Sequence, residues 1–325
     1  MSHFSRLAGW SGACALSVLM VACGGGGSGS DNGTPVAAAP VNSTAPLQAP
    51  GYAVAAPAPT NNTAADGFAD FNYRRQQMGL PAVSRNGNID VAAQGHSNYQ
   101  NVNDTITHTQ TTGKPAFTGV SVLDRLTAAQ YVFNPNNGYA YGEVIAASGD
   151  LSGVNNAEDL ITAIYHRFVI FEPKFREAGA GSVGFSATGY NYFTVDFAAN
   201  GLSGGIGAGQ VGLYPFPNET GIVPIFRNHQ ESPDPVPSQD GVGYPVSVHA
   251  DIDTSLTVIQ FTITPRGGQP LQTKLLSHAT DTETPASAAA IVPLTVLGAA
   301  TTYDVQFVGT VSGLPVTRNW SFTTR

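Results

Sequence analysis

The hydrophobic pattern changes character once along the chain, near residue 200, and this change limits the fold more than any other feature. Before it, apolar residues recur at helical spacing in several segments, with short strand-like segments between them. The predicted helices cover 66–78, 88–101, 120–130 and 155–168, and the predicted strands cover 139–147, 181–185 and 190–197. Helices that flank an antiparallel sheet predict an α+β domain over residues 66–200.

After residue 200 the helical spacing disappears. A glycine-rich segment at 201–212 is followed by several runs in which apolar and polar residues alternate. These runs lie at 246–250, 256–264, 302–308 and 316–323. Short strands separated by turns and prolines predict an all-β sandwich. We therefore expect a second domain over 201–325, which includes the glycine-rich connection.

The N-terminus has the pattern of an export signal. Arg6 provides a positive charge, and the apolar segment that follows at 13–22 is too short for the roughly 20 residues of a transmembrane helix. Small residues then precede Cys23, as at a lipoprotein processing site. We predict a lipoprotein signal peptide at 1–22 and a lipid on Cys23, with an ordinary signal peptide as the alternative. The protein is expected to be exported and lipid-anchored to the cell envelope, and Gly24 favours the outer membrane.

Residues 23–65 consist mainly of Gly, Ala, Pro, Asn, Ser and Thr, with almost no large apolar side chains. A segment of this composition buries too little apolar surface to offset its ordering entropy. We therefore predict a disordered tether between the lipid and the first domain.

Cysteine use and charge exclude several classes of protein. Of the two cysteines, Cys14 lies in the predicted signal peptide, so the processed chain has no intrachain disulfide and no cysteine-based zinc cluster. The net charge is -8 and basic residues are scattered, which excludes nucleic acid as a partner. The glycines at 205–209 lie outside any βαβ pattern, so we expect no nucleotide site.

Three histidines and one glutamate of the first domain are candidate site residues. His166 points away from the apolar stripe of the predicted helix 155–168, so we expect it to face solvent or a cleft. His108 follows a helix in a polar segment and can point into a cleft, whereas His96 lies on an apolar helix face and is better explained as a satisfied core histidine. Glu143 stands in an apolar strand, where a carboxylate is costly to bury unless it is paired; an outward orientation to water is the alternative.

Several short motifs of the first domain occur in an order typical of one family. The motifs are Gly79-Leu-Pro-Ala82, Ala92-Ala-Gln-Gly-His-Ser97, Ile106-Thr-His-Thr109, Leu123-Asp-Arg-Leu126, Tyr141-Gly-Glu-Val-Ile-Ala146, Tyr165-His-Arg167, Ala178-Gly-Ala-Gly-Ser-Val-Gly-Phe185 and Tyr192-Phe-Thr-Val-Asp-Phe197. Over about 70–198 this set resembles bacterial CAP (SCP/TAPS/PR-1) domains. The resemblance implies an α-β-α sandwich with a cleft lined by two histidines, here His108 and His166, and two glutamates, one of them Glu143.

The sequence departs from the family pattern at the second glutamate. Ala163 occupies that position, Val144 replaces the Asn that usually follows the Gly-Glu pair, and Leu160 replaces the usual helix Trp. The resemblance therefore implies an incomplete set of cleft residues.

The C-terminal part resembles bacterial Ig-like or fibronectin-III-like modules. The resemblance lies in 297–305 and 319–324, and it implies that Tyr303 and Trp320 anchor the core of the sandwich. Such modules usually act as spacers or binding domains.

These observations lead to three functional hypotheses. The first is a non-enzymatic protein that binds a lipid, a cell-envelope component or a protein partner in a cleft containing His96, His108, Glu143 and His166. The second is a hydrolase in which His108 and His166 bind zinc or another divalent cation and Glu143 activates water. The third is a structural envelope protein with a vestigial cleft. In each case the lipid on Cys23 would bind the membrane.

Overall fold

The computed structural model describes residue 51 and residues 53–134, 136 and 138–325. The predicted signal peptide, Cys23 and most of the predicted tether lie outside the described residues. The first domain contains the helices α1 (Thr63–Gln77), α2 (Gly87–Asn103), α3 (Val122–Ala128), α4 (Gly153–Thr162) and α5 (Ile164–Ile170) and the strands β1 (Ser84–Arg85), β2 (Tyr139–Ser148), β3 (Glu177–Val183) and β4 (Asn191–Asn200).

The strands of the first domain form one sheet with helices on both faces. The strand order is β1-β3-β4-β2, with β1 parallel to β3 and the other neighbours antiparallel. On one face, α1, α4 and α5 pack around side chains such as Val144 and Phe197. On the other face, α2 and α3 pack around Leu126 and Ala198. The predicted α-β-α sandwich is therefore confirmed.

The alternation of side chains along β2 and β4 determines which helix layer each residue meets. Val144 points towards α1 and α4, and its neighbour Glu143 points towards α2 and α3, opposite Asp196 on β4. Gly179 and Gly181 on β3 allow α2 to lie close to the sheet, because a Cβ atom at either position would overlap the backbone of α2. The polar residues of the sheet therefore face a tightly packed layer of helix.

The second domain is built of strands, as predicted. They are β5 (Gly212–Tyr214), β6 (Glu219–Ile222), β7 (Ile225–Phe226), β8 (Val242–Gly243), β9 (Val246–His249), β10 (Leu256–Pro265), β11 (Thr273–Ser277), β12 (Ala288–Pro293), β13 (Thr302–Val311) and β14 (Leu314–Thr324). Two four-stranded sheets, ordered β10-β13-β14-β6 and β11-β12-β9-β5, share a core, and β7 pairs with β8. Tyr303 and Trp320 are buried in that core.

Two helix predictions differ from the structure. The segment predicted as one helix over 155–168 is two helices, because Ala163 has an extended backbone (φ -68°, ψ 115°) between α4 and α5. The first helix begins at Thr63, inside the predicted tether, because Asn62 caps it by accepting a hydrogen bond from the backbone N–H of Ala65 at 2.9 Å. Within the described residues, no helix is long and apolar enough to cross a membrane.

Helix α5 lies between the two domains. Its residues Ile164 and Phe168 belong to an apolar cluster that is completed by side chains of the second domain. The guanidinium of Arg167 donates a hydrogen bond to the backbone oxygen of Pro245 at 2.7 Å and lies 4.8 Å from the ring centre of Tyr244. The surroundings of α5 are therefore determined by both domains.

Candidate ligand-binding site

Glu143 is the centre of a buried polar cluster in the first domain. Its Oε1 atom lies 2.7 Å from Nδ1 of His108, and its Oε2 atom accepts a hydrogen bond from Nη2 of Arg125 at 2.6 Å. Glu143 is 0% exposed and His108 is 3% exposed. The alternative in which Glu143 faces water is therefore excluded, and the structure brings His108 and Glu143 together.

Arg125 determines the charge of this cluster. Burial alone would raise the pKa of Glu143, but the guanidinium of Arg125, helped by the imidazoles of His96 and His108, holds that pKa below its usual value. Arg125 lies on α3, which begins with a capping box, and it also donates a hydrogen bond to the backbone oxygen of His108 at 3.0 Å. One side chain thus keeps the carboxylate ionised and holds the loop that carries the histidine.

Asp196 is a second buried carboxyl group beside Glu143. The two residues face each other across β2 and β4. Burial, together with the negative charge of Glu143, raises the pKa of Asp196 well above its usual value. A neutral acid therefore lies next to an ionised one. Neither Asp196 nor Arg125 was predicted from the sequence as a site residue, although Asp196 interrupts an apolar strand in the same way as Glu143.

His96 has the surroundings of a satisfied core histidine. Its Nε2 atom lies 2.6 Å from the backbone oxygen of Thr107, and its Nδ1 atom lies 2.9 Å from Nε2 of Gln110. The side chain is fully buried, and burial lowers its pKa to about 4. Both ring nitrogens are therefore occupied, and neither is free to hold a ligand.

His166 binds a carboxylate that comes from the second domain. Its Nδ1 atom lies 3.0 Å from Oε1 of Glu231. The same carboxylate accepts hydrogen bonds from the backbone N–H groups of Ile164 at 2.9 Å and Tyr165 at 2.7 Å. Glu231 therefore caps α5, whose preceding residue Ala163 provides no side-chain cap.

The expectation that His166 faces solvent or a cleft is corrected by its burial. The side chain is 0% exposed. Its direction was derived from a continuous helix over 155–168, but the break at Ala163 separates His166 from the apolar stripe of α4. A residue of the second domain, Glu231, then covers it. The sequence contained no local signal for this partner.

The two histidine–carboxylate pairs have the same geometry, but they do not form one cluster. In each, Nδ1 is bound to a carboxylate, while Nε2 of His108 and of His166 is buried without a hydrogen-bond partner. Metal-ligating histidines are commonly oriented in this way by a carboxylate. Among the described residues, however, no group of three or more His, Cys, Asp or Glu side chains could hold a metal ion. In the part of the chain that the structure describes, His108 and His166 are thus two separate imidazole ligands and not a converging ligand set.

A cavity of about 480 Å³ lies where the two domains meet. Ala163 and Glu231 are on its wall, so the cavity adjoins the His166–Glu231 pair. The first domain contributes the end of β2 and part of α4, and the second contributes residues between Val223 and Glu231 together with Arg325. This volume is within the usual range for small-molecule sites of roughly 300–1,000 Å³.

Comparison with known proteins agrees with the architecture of the first domain. The model of the CAP family, described as the cysteine-rich secretory protein family, matches residues 68–197. These residues form a CAP domain, and a β-rich region follows it. A comparison with curated proteins gave no match.

Solved structures with low similarity match less than half of the chain. One is an extracellular protein containing an SCP domain from Bacillus anthracis str. Ames, at 23% identity and a TM-score of 0.35, covering 43% of this chain and 41% of that one. Another is an outer surface protein from Borrelia burgdorferi, at 18% identity and a TM-score of 0.33, covering 41% of this chain and 89% of that one. The chain thus spans less than half the length of the Bacillus protein.

Proposed function

We propose that this protein is an exported, lipid-anchored binding protein that holds a small ligand between its CAP domain and its second domain. The observation that carries the proposal is the cavity of about 480 Å³ whose walls come from both domains. The lipid on Cys23 and the position in the outer membrane follow from the sequence pattern and belong to the same proposal.

The second domain supplies a part that the CAP domain lacks. By resemblance, Ala163 stands where the family has its second glutamate, and the carboxylate of Glu231 binds the backbone and the imidazole of the residues that follow. We propose that Glu231 takes over the positioning role of that glutamate. The site then depends on both domains.

The burial of the histidines and of Glu143 favours binding over catalysis. Glu143 and His166 are each 0% exposed, and neither is on the wall of the cavity. A group that acts on a substrate must come within hydrogen-bond distance of it. These residues therefore stabilise the fold and do not contact a ligand in the cavity.

The fluorescent probe 8-anilinonaphthalene-1-sulfonate, an apolar anion, provides a test. Residues 24–325 include every described residue and lack the predicted lipid anchor, so they are suitable for titration. We expect saturable binding of one probe molecule and its loss in Ala147→Phe, because half-buried Ala147 lines the cavity. The matched control Ala128→Phe adds the same bulk at an exposed position. Binding that is absent, or equal in both variants, would contradict the proposal.

A metal-assisted hydrolase is the second candidate function. The unpartnered Nε2 atoms of His108 and His166 favour it, whereas the lack of a converging ligand set among the described residues disfavours it. Zinc titration by calorimetry of the wild type and of the double variant His108→Ala/His166→Ala distinguishes the hydrolase from the binding protein. If the wild type binds zinc stoichiometrically and the double variant does not, the result supports the hydrolase. If the wild type binds no zinc, the metal-assisted hydrolase is excluded.

A further inference from the structure

The cavity between the domains has walls of opposite charge. The CAP-domain wall carries the acidic residues Asp150 and Asp159, and the second-domain wall carries the basic residues Arg227 and Arg325. Glu231 is acidic as well, but its carboxylate is already occupied by α5 and His166. The charges that face the cavity are therefore separated by domain.

Some of these charges have no partner within the protein. Asp150 accepts hydrogen bonds from the backbone N–H of Ser152 at 2.8 Å and from Nδ2 of Asn155 at 2.6 Å. By contrast, among the described residues Asp159 and Arg227 form no side-chain hydrogen bond and no ion pair, with each other or with any other group. An anionic and a cationic group are thus left available on opposite walls.

Apolar side chains lie between the charged groups. Leu160, Ile225 and Phe226 line the cavity together with small residues of β2. The lining as a whole complements a molecule with two charged ends and an apolar centre.

We propose that the cavity binds a short peptide with free termini, its ammonium group at Asp159, its carboxylate at Arg227 and its side chains against Leu160, Ile225 and Phe226. This inference rests on the proposed function and names the class of its ligand. A peptide of two or three residues suits the cavity volume better than a single amino acid does, because about 480 Å³ is the size of a drug-like site.

The first test is a calorimetric titration of residues 24–325 with the tripeptide Ala-Leu-Ala. Its N-acetylated and C-amidated forms, which each lack one terminal charge, are titrated in parallel. We expect the free peptide to bind at least tenfold more tightly than either blocked form and to displace 8-anilinonaphthalene-1-sulfonate. Equal affinity of all three peptides would overturn the inference.

Two charge variants and two controls complete the test. Asp159→Asn and Arg227→Gln should each weaken binding of the free peptide by at least tenfold, while Asp240→Asn and Lys114→Gln, which change exposed residues outside the cavity, should leave it unchanged. If the fluorescent probe binds saturably but no peptide displaces it, the ligand class is wrong and the cavity remains a binding site. If neither binds, the proposed function itself fails.

Discussion

The two buried histidine–carboxylate pairs differ in where the carboxylate comes from. His108 binds Glu143, which lies on a strand of the same domain, and Arg125 neutralises that carboxylate. His166 binds Glu231, which lies in the second domain, and the N-terminal backbone of α5 stabilises that carboxylate. The first pair is part of the CAP domain itself. The second exists only when the two domains pack together.

This difference shows what the second domain contributes to the CAP domain. The first pair is stabilised by a full counter-charge, and the second by backbone N–H groups at a helix N-terminus. Loss of the carboxylate therefore leaves a buried cation at Arg125 in one case and unpaired neutral donors on α5 in the other. The cost of removing each carboxylate should differ accordingly.

The largest effect is expected for Glu143→Gln. It leaves the guanidinium of Arg125, which is 1% exposed, without its counter-charge. The free energy of unfolding should fall by about 3–5 kcal/mol, measured by urea unfolding at pH 7. Adding Arg125→Met to the variant should reduce the loss. A loss below about 1 kcal/mol in the single variant would show that the buried ion pair does not stabilise the first domain.

A smaller loss is expected for Glu231→Ala. It removes the acceptor of the N–H groups of Ile164 and Tyr165 and of the imidazole of His166. The free energy of unfolding should fall by about 2–3 kcal/mol in the same assay. Glu231→Gln retains one acceptor oxygen and should lose about half as much. If Glu231→Ala costs more than Glu143→Gln, the ranking of the two pairs is wrong.

The neutral histidines near the two pairs should make the protein sensitive to acid. Burial lowers the pKa of His96, beside Glu143, to about 4, and that of His249, which packs against α5, to about 3. In the unfolded chain each histidine takes up a proton near pH 6.5, whereas in the folded protein it does so only at a lower pH. The free energy of unfolding therefore decreases as the pH falls below about 6.5. Each histidine should cost about 1 kcal/mol between pH 7 and pH 5.5. The variant His96→Gln should lose about 1 kcal/mol less free energy of unfolding than the wild type between pH 7 and pH 5.5. A pH profile that is unchanged in this variant would contradict the neutral state of His96.

The smallest effect is expected for Asp196→Asn. The raised pKa of Asp196 keeps its carboxyl group neutral at pH 7, so an amide of the same shape replaces it without a change of charge. The free energy of unfolding should change by less than about 1 kcal/mol at pH 7. When both variants are measured in the same assay, the two losses in free energy compare a neutral carboxyl group, Asp196, with an ionised one, Glu143, on paired strands. A loss as large as that of Glu143→Gln would mean that Asp196 is ionised.

The sequence predicted those features that depend on local pattern. The helical and alternating spacings predicted both domain classes, and the cost of burying Glu143 in an apolar strand made it a site candidate. The break at Ala163 had no glycine or proline to mark it, and it depends on the capping of α5 by Glu231 from the second domain. Sequence spacing carries no information on such a partner, because packing of the two domains brings it into place.

The most direct test of the account is a double-mutant cycle between His166 and Glu231. The variants are His166→Asn, Glu231→Gln and the pair together, measured by urea unfolding of residues 24–325 at pH 7. We predict that the effects are coupled by at least about 1 kcal/mol, because the two side chains are in contact across the domain boundary. Effects that add to within about 0.3–0.5 kcal/mol would contradict the claim that the second domain completes the site through Glu231.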